Sequence, residues 1–199
     1  MSNQPLNLDR EAWLTEAADF IINDKIQPLM NGKTIQHPYR VSVGFAPRTR
    51  AGSKVIAICC KAVASADSHN EIFIAPHISD SLQVLSALSH ELVHYSDDCE
   101  SGHQHHFARI ARKIGLEGKL TATTAGPELT SYLNGLIDIL GDIPHGALNI
   151  DAAKKKQTTR MLKVSCTGCG FNYRASQTQI VRITDYLCPA CNIADMKVV

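Results

Sequence analysis

The sequence predicts an α+β protein followed by a small cysteine-rich module. Three observations lead there. Four segments repeat apolar residues at helical spacing, three short β-like runs lie between the first two of them, and two CxxC pairs stand near the C-terminus. The 199 residues, 44% hydrophobic and 20% charged, suffice for one full core and a small appendage.

The first segment runs from Leu8 to Leu29, with Trp13, Ala17, Phe20 and Ile21 at helical spacing and acidic Asp9 and Glu11 near the start. "NGK" at 31–33 ends it. The β-like runs are "YRVSVGFA" (39–46), "KVIAICC" (54–60) and "EIFIAP" (71–76), separated by the turn-rich "PRTRAGS" and "SADSHN". "SDSLQVLSALSHELVHYS" then predicts a helix whose buried face holds Leu85, Leu88, Leu92 and Tyr95. "CESG" breaks it, and "HQHHFARIARKIGL" resumes the helical period through Phe107, Ile110, Ala111 and Ile114. A further helix is expected from Pro127 to about Leu140, with proline in its first turn. Residues 1–150 are thus read as one domain, 151–160 as a polar and basic linker, and 161–199 as a module of short strands between the cysteine pairs.

Composition sets outer bounds. No run of about eighteen apolar residues exists to span a membrane. "MSNQPLNLDREAW" lacks the basic start and apolar stretch of a signal peptide, so the expected location is the cytoplasm. Seven cysteines, an odd number, without an export signal point to metal binding rather than a disulfide framework. The net charge of +1 hides an asymmetry: Lys and Arg number 12 against 16 Asp and Glu in residues 1–150, and 8 against 3 in 151–199. A basic tail permits contact with nucleic acid without establishing it.

The chemistry concentrates in "SHELVHYSDDCESGHQHHF" (89–107), which contains five of the nine histidines. His90 and His94, four apart on a helix, project from one face and can reach one metal ion, and Glu91 between them can act as general base on a water at that ion. Three protein ligands plus water make a catalytic zinc site, and four protein ligands make a closed structural one. The turn-prone "DDCESG" lets the chain reverse, so that a histidine from the start of the next helix completes the set. His103, directly after Gly102, is best placed and His106 is its competitor, while His105 points elsewhere. Glu100 and Glu117 are weaker ligand candidates, and Cys99 an adventitious one.

"HELVH", eight residues, then "GHQHHFARIARKIGL" resembles the SprT-like metallopeptidases, the group that includes Spartan-type proteases. The resemblance covers the layout of residues 8–140 and is strongest over 71–116. It implies a zincin-like domain: an N-terminal helix, a small sheet, an active-site helix and further helices. It implies His90, His94 and His103 as zinc ligands, Glu91 as catalytic acid/base and Phe107 as the family aromatic. Gln104 stands where the family usually has glycine. The implied substrates are proteins on DNA. "EIFIAP" would then be an edge strand that pairs with an extended peptide, or else a plain core strand; a proline at Ile74 is the test that separates the two. For the oxyanion only Tyr95 and Tyr132 offer themselves.

Cys166-x2-Cys169, eighteen residues, then Cys188-x2-Cys191 is the spacing of a four-cysteine zinc ribbon, whose ion supplies the folding energy that so short a segment lacks. Lys154, Lys155, Lys156, Arg160, Lys163, Arg174 and Arg182 could meet phosphates, and Phe171, Tyr173 and Tyr186 could stack on bases; the alternative is a docking or purely stabilising appendage. Two functions follow. The first is a zinc endopeptidase acting on DNA-associated proteins. The second is a non-proteolytic, nucleic-acid-associated binding protein with two structural zincs.

Overall fold

Asp9 begins the first helix by accepting the Ala12 amide at 2.8 Å, satisfying one of the N–H groups a helix start leaves open. The computed structural model describes residues 8–47, 55–153, 161–182 and 187–199, and it divides into two units, Met1–Ala153 and Lys154–Val199. In the first unit, helix α1 (Arg10–Ile21) buries Trp13, Leu14, Ala17, Ala18 and Ile21. The stretch expected as one helix to Leu29 then changes its winding, to a π-helical turn at Ile22–Ile26 and a 3-10 turn at Gln27–Leu29. Pro28 has no N–H to continue an α-helical ladder, which accounts for the change.

Strands β1 (Tyr39–Val43), β2 (Ala57–Cys60) and β3 (Asn70–Ile74) form a sheet in the order β1-β3-β2, with β3 parallel to β1 and antiparallel to β2. This overturns the reading of "EIFIAP" as an edge strand. β3 is central and bonded on both sides, and its Ile72 and Ile74 are fully buried. The edge is β2. A proline at Ile74 would therefore break the core and not probe a docking edge.

Helix α2 (Ser81–Tyr95), capped by Asp80 accepting the Gln83 amide, is the central element. Leu85, Leu88, Leu92 and Val93 pack into the main core, and the whole of its second half is buried, polar residues included. Helix α3 (His105–Ile114) ends at Gly115 with a φ of 94°, where a Cβ would also come within 3.1 Å of Leu129. A hairpin unforeseen in the sequence follows, β4 (Leu116–Lys119) paired with β5 (Ala122–Ala125). Helix α4 (Pro127–Leu140) buries Leu129, Leu133, Leu136 and Leu140. A single turn, α5 (Ile150–Ala153), crosses the boundary drawn from sequence at residue 150.

The second unit is a three-stranded antiparallel sheet, β7-β6-β8, formed by β6 (Met161–Cys166), β7 (Asn172–Ser176) and β8 (Met196–Val198). Between the cysteine pairs lies the expected strand, β7, followed by a short helix, α6 (Gln177–Arg182), that was not expected. Its core is small: Val164, Cys166, Ala175, Ile180, Cys188 and Met196. Lys154, Lys155, Lys156, Arg160 and Tyr186 lie outside the described residues.

Candidate metal centres

Helix α2 brings His90, Glu91 and His94 into the interior, each at most 9% exposed. Polar groups that deep need partners. The turn after α2 supplies one. Asp98 and Cys99 take left-handed backbone (φ 53° and 56°), as does Gly102 (φ 51°), and the Cys99 amide donates back to the His94 carbonyl at 2.8 Å. Asp98 Oδ1 accepts from the Ala62 amide and from Asn70 Nδ2, both at 2.7 Å, which ties the turn to the sheet. The reversal delivers His103 from the turn itself, two residues before α3 rather than on that helix.

The three imidazoles converge. His103 Nε2 lies 3.3 Å from His90 Nε2 and 3.2 Å from His94 Nε2. A tetrahedral ion with bonds of about 2.0–2.1 Å to nitrogen holds its ligand atoms about 3.3–3.4 Å apart, so this donor set fits such an ion. Phe107, fully buried, packs against all three rings with centroids at 4.8, 4.3 and 5.0 Å. Burial holds His90 down to about 4 and His94 to about 3, so both rings stay neutral at pH 7, the form a metal needs. Glu91 is buried in the same cleft, and burial pushes its carboxyl up to about 8 against the lowering effect of the Cys59 backbone N–H that bonds it. A divalent cation at the histidines is the counter-charge that would draw it back down.

The remaining histidine, glutamate and tyrosine candidates are placed apart from the convergence point; Cys99 lines the cleft but does not join the three-histidine group. His106 Nε2 pairs with Ser96 Oγ at 3.0 Å and borders a different cavity; His105 is exposed. Glu100 is exposed and paired with Lys61 at 2.6 Å, and Glu117 lies exposed on β4. Tyr95 donates to the His37 carbonyl and Tyr132 to Asp24, both at 2.8 Å, and neither lines the cleft. That corrects their choice as oxyanion donors.

The cleft, about 630 Å3, is walled by β2, by α2 and by Thr121–Thr124 of the hairpin. One functional contact there was not legible in sequence: His90 Nδ1 lies 2.7 Å from Thr123 Oγ1. With Nε2 turned to the metal point, Nδ1 carries the proton and donates to Thr123, fixing tautomer and ring plane. Ala125 N donates to Ser86 Oγ at 2.8 Å and holds the hairpin against α2. Thr123→Val is expected to weaken metal binding at the histidine site about 10- to 100-fold, with Thr123→Ser retaining it. Chelator competition measures this, and equal affinity for the valine variant would rule the contact out as a support.

In the second unit, Cys166, Cys169, Cys188 and Cys191 gather with all sulfurs within 4.8 Å of one another. Cys166 and Cys191 are 3.8 Å apart and Cys169 and Cys188 are 3.6 Å apart. Bonds of about 2.3 Å to a tetrahedral ion require about 3.8 Å between sulfurs, so this set also fits. The backbone amides of Cys169 and Gly168 point at Cys166 Sγ and pull that thiol down to about 6 against burial. The amide of Ala190 similarly donates to Cys188 Sγ.

Fold and sites together define a mixed α+β protein with two side-chain groups, one of three histidines and one of four cysteines, that could each hold a metal ion. Comparison of the chain with family models, curated proteins and solved structures returned no match. No helix among the described residues is long and apolar enough to cross a membrane.

Proposed function

We propose that the first unit is a zinc-dependent endopeptidase of zincin-like, SprT-like kind, and that the second is a zinc ribbon that brings it to nucleic acid. One observation carries the peptidase reading: three histidine Nε2 atoms meet in a cleft beside a buried glutamate, in a group of three ligands where a structural site has four. A Zn2+ held by His90, His94 and His103 would supply Lewis acidity there and make a water near it more acidic, to a pKa of about 7. Glu91 takes the proton of that attacking water and passes it to the leaving amine nitrogen. Thr123 and Phe107 keep the rings in place while this happens.

Strand β2 provides the docking edge for an extended peptide. Ala75 N donates to Ile56 O, so Ile56, Ile58 and Cys60 turn their backbone groups towards β3. Ala57 and Cys59 turn theirs towards the cleft. The Cys59 N–H serves Glu91 and its carbonyl accepts from the Cys99 thiol at 3.6 Å, which leaves Ala57 to pair with substrate. Proline at Ala57 removes a donor without touching the sheet ladder. Ala57→Pro is expected to keep its metal and fold and to lose about tenfold in kcat/KM, the worth of one hydrogen bond of about 1.5 kcal/mol. Unchanged kcat/KM would move the docking edge elsewhere.

For the second unit, the register puts Lys163, Arg174 and Lys197 on one exposed face of the sheet, which supports phosphate contact. Phe171 is exposed and available to stack, whereas Tyr173 packs against the small core. The testing experiment is cleavage of an unfolded protein by wild type and Glu91→Gln, with and without single- and double-stranded DNA. Metal-loaded wild type that cleaves nothing under any condition would favour the non-proteolytic binding protein.

A further inference from the structure

Cys59 is a junction in the cleft wall. Its backbone N–H faces the Glu91 carboxyl, and its carbonyl accepts from Cys99 Sγ at 3.6 Å, which sets the Cys99 side chain directly against Cys59. Both thiols line the same cavity. They come from segments forty residues apart in sequence, the edge strand β2 and the turn after α2, and that turn is anchored to the sheet through Asp98. The pairing is therefore held from both sides and does not depend on a mobile loop closing. Neither thiol belongs to the three-histidine or the four-cysteine group.

We propose that Cys59 and Cys99 form a thiol–disulfide exchange site in the wall of the cleft, which reacts with low-molecular-weight disulfides and closes to a Cys59–Cys99 bond. The exchange uses neither the metal nor Glu91 as a base, so it stands whether or not the unit is a peptidase.

The order of attack follows from the surroundings. Contact with the Cys99 thiol, and then burial, push the Cys59 thiol well above the ordinary range, so Cys59 is the slow, protonated partner. Both cysteines are half-buried, and Cys99, which lies on the turn after α2 rather than in a strand, is the one that takes the reagent first. Its sulfur attacks oxidised glutathione, giving a mixed disulfide and releasing one glutathione that carries off the Cys99 proton. Cys59 then attacks the Cys99 sulfur, the bond to glutathione breaks, and the second glutathione leaves with the Cys59 proton. Two protein thiols are oxidised by two electrons and one small disulfide is reduced to two thiols. The product joins the strand that holds Glu91 to the turn that carries His103.

Cys60 neighbours Cys59 within the tryptic peptide 55–61, so the test uses Cys60→Ser in the full-length, folded protein. The protein is incubated with oxidised glutathione, acid-quenched and digested without reduction. The expected product is peptide 55–61 joined to the peptide containing Cys99. In Cys59→Ser, Cys99 should instead keep glutathione as a stable adduct, and in Cys99→Ser, Cys59 should remain a free thiol. The proposal is overturned if Cys99 in the Cys60→Ser protein stays glutathionylated without linking to Cys59, if it links to another cysteine, or if both thiols survive unreacted. Fragmentation of the joined peptide from wild type gives the same answer without any substitution.

Discussion

Glu91→Gln is expected to lower peptide cleavage by a factor of about 10² to 10⁴, the usual worth of a positioned general acid–base group, while both metal groups keep their ions. Glutamine has the same shape and still accepts the Cys59 N–H through its carbonyl oxygen, so the cleft wall should stay in place. What it cannot do is take a proton from water and return it to an amine. The ligands on either side, His90 and His94, are untouched, and the Thr123 contact to His90 does not involve the carboxyl. The measurement is kcat/KM on an unfolded protein substrate, paired with metal content of the same preparation. Cleavage within a few-fold of wild type, at equal metal content, would refute Glu91 as the base. Loss of metal together with activity would mean that the carboxylate is holding the site and not working in it.

The pattern of what could be read in the sequence has a physical explanation. Helices α1, α2, α3 and α4 were legible because each buries a stripe of large apolar side chains against a common core, and a stripe repeats with the helical period. His90, Glu91 and His94 share one helix, so their spacing alone fixed their relation. Strand order was not legible. β1-β3-β2 is a tertiary choice, and the alternation in "EIFIAP" reads the same for a central strand as for an edge. The hairpin at 116–125 was missed because its strands are short and mostly exposed, without the alternation that marks a half-buried strand. It is held by Gly126 N donating to Gly115 O and by Ser86, contacts invisible in a hydrophobic pattern, and Thr123 went unseen with it. The placing of His103 against His106 turned on left-handed backbone at Asp98, Cys99 and Gly102; the residues announced a turn but not its direction.

Cys188→Ser is expected to unfold the second unit and leave the first intact. Magnitudes decide this. Of the six residues in the unit's buried core, Cys166 and Cys188 are themselves candidate ligands, and Val164, Ala175, Ile180 and Met196 are what remains. A core in so short a segment rarely supplies more than about 3–5 kcal/mol, whereas a structural zinc contributes roughly 10–16 kcal/mol in comparable small folds. Removing one of four sulfurs therefore takes away more than the strands can replace. Without Cys188 the set loses one of its four corners and the Cys169–Cys188 contact, so partial retention of the fold is not expected. Hydrogen exchange on the full chain should show residues 161–199 losing protection while α2 and α4 keep theirs, with metal content falling by one ion. Protection over 161–199 that survives in Cys188→Ser, or an unchanged metal count, would show that the sheet stands on its own and that the cysteines do not staple it.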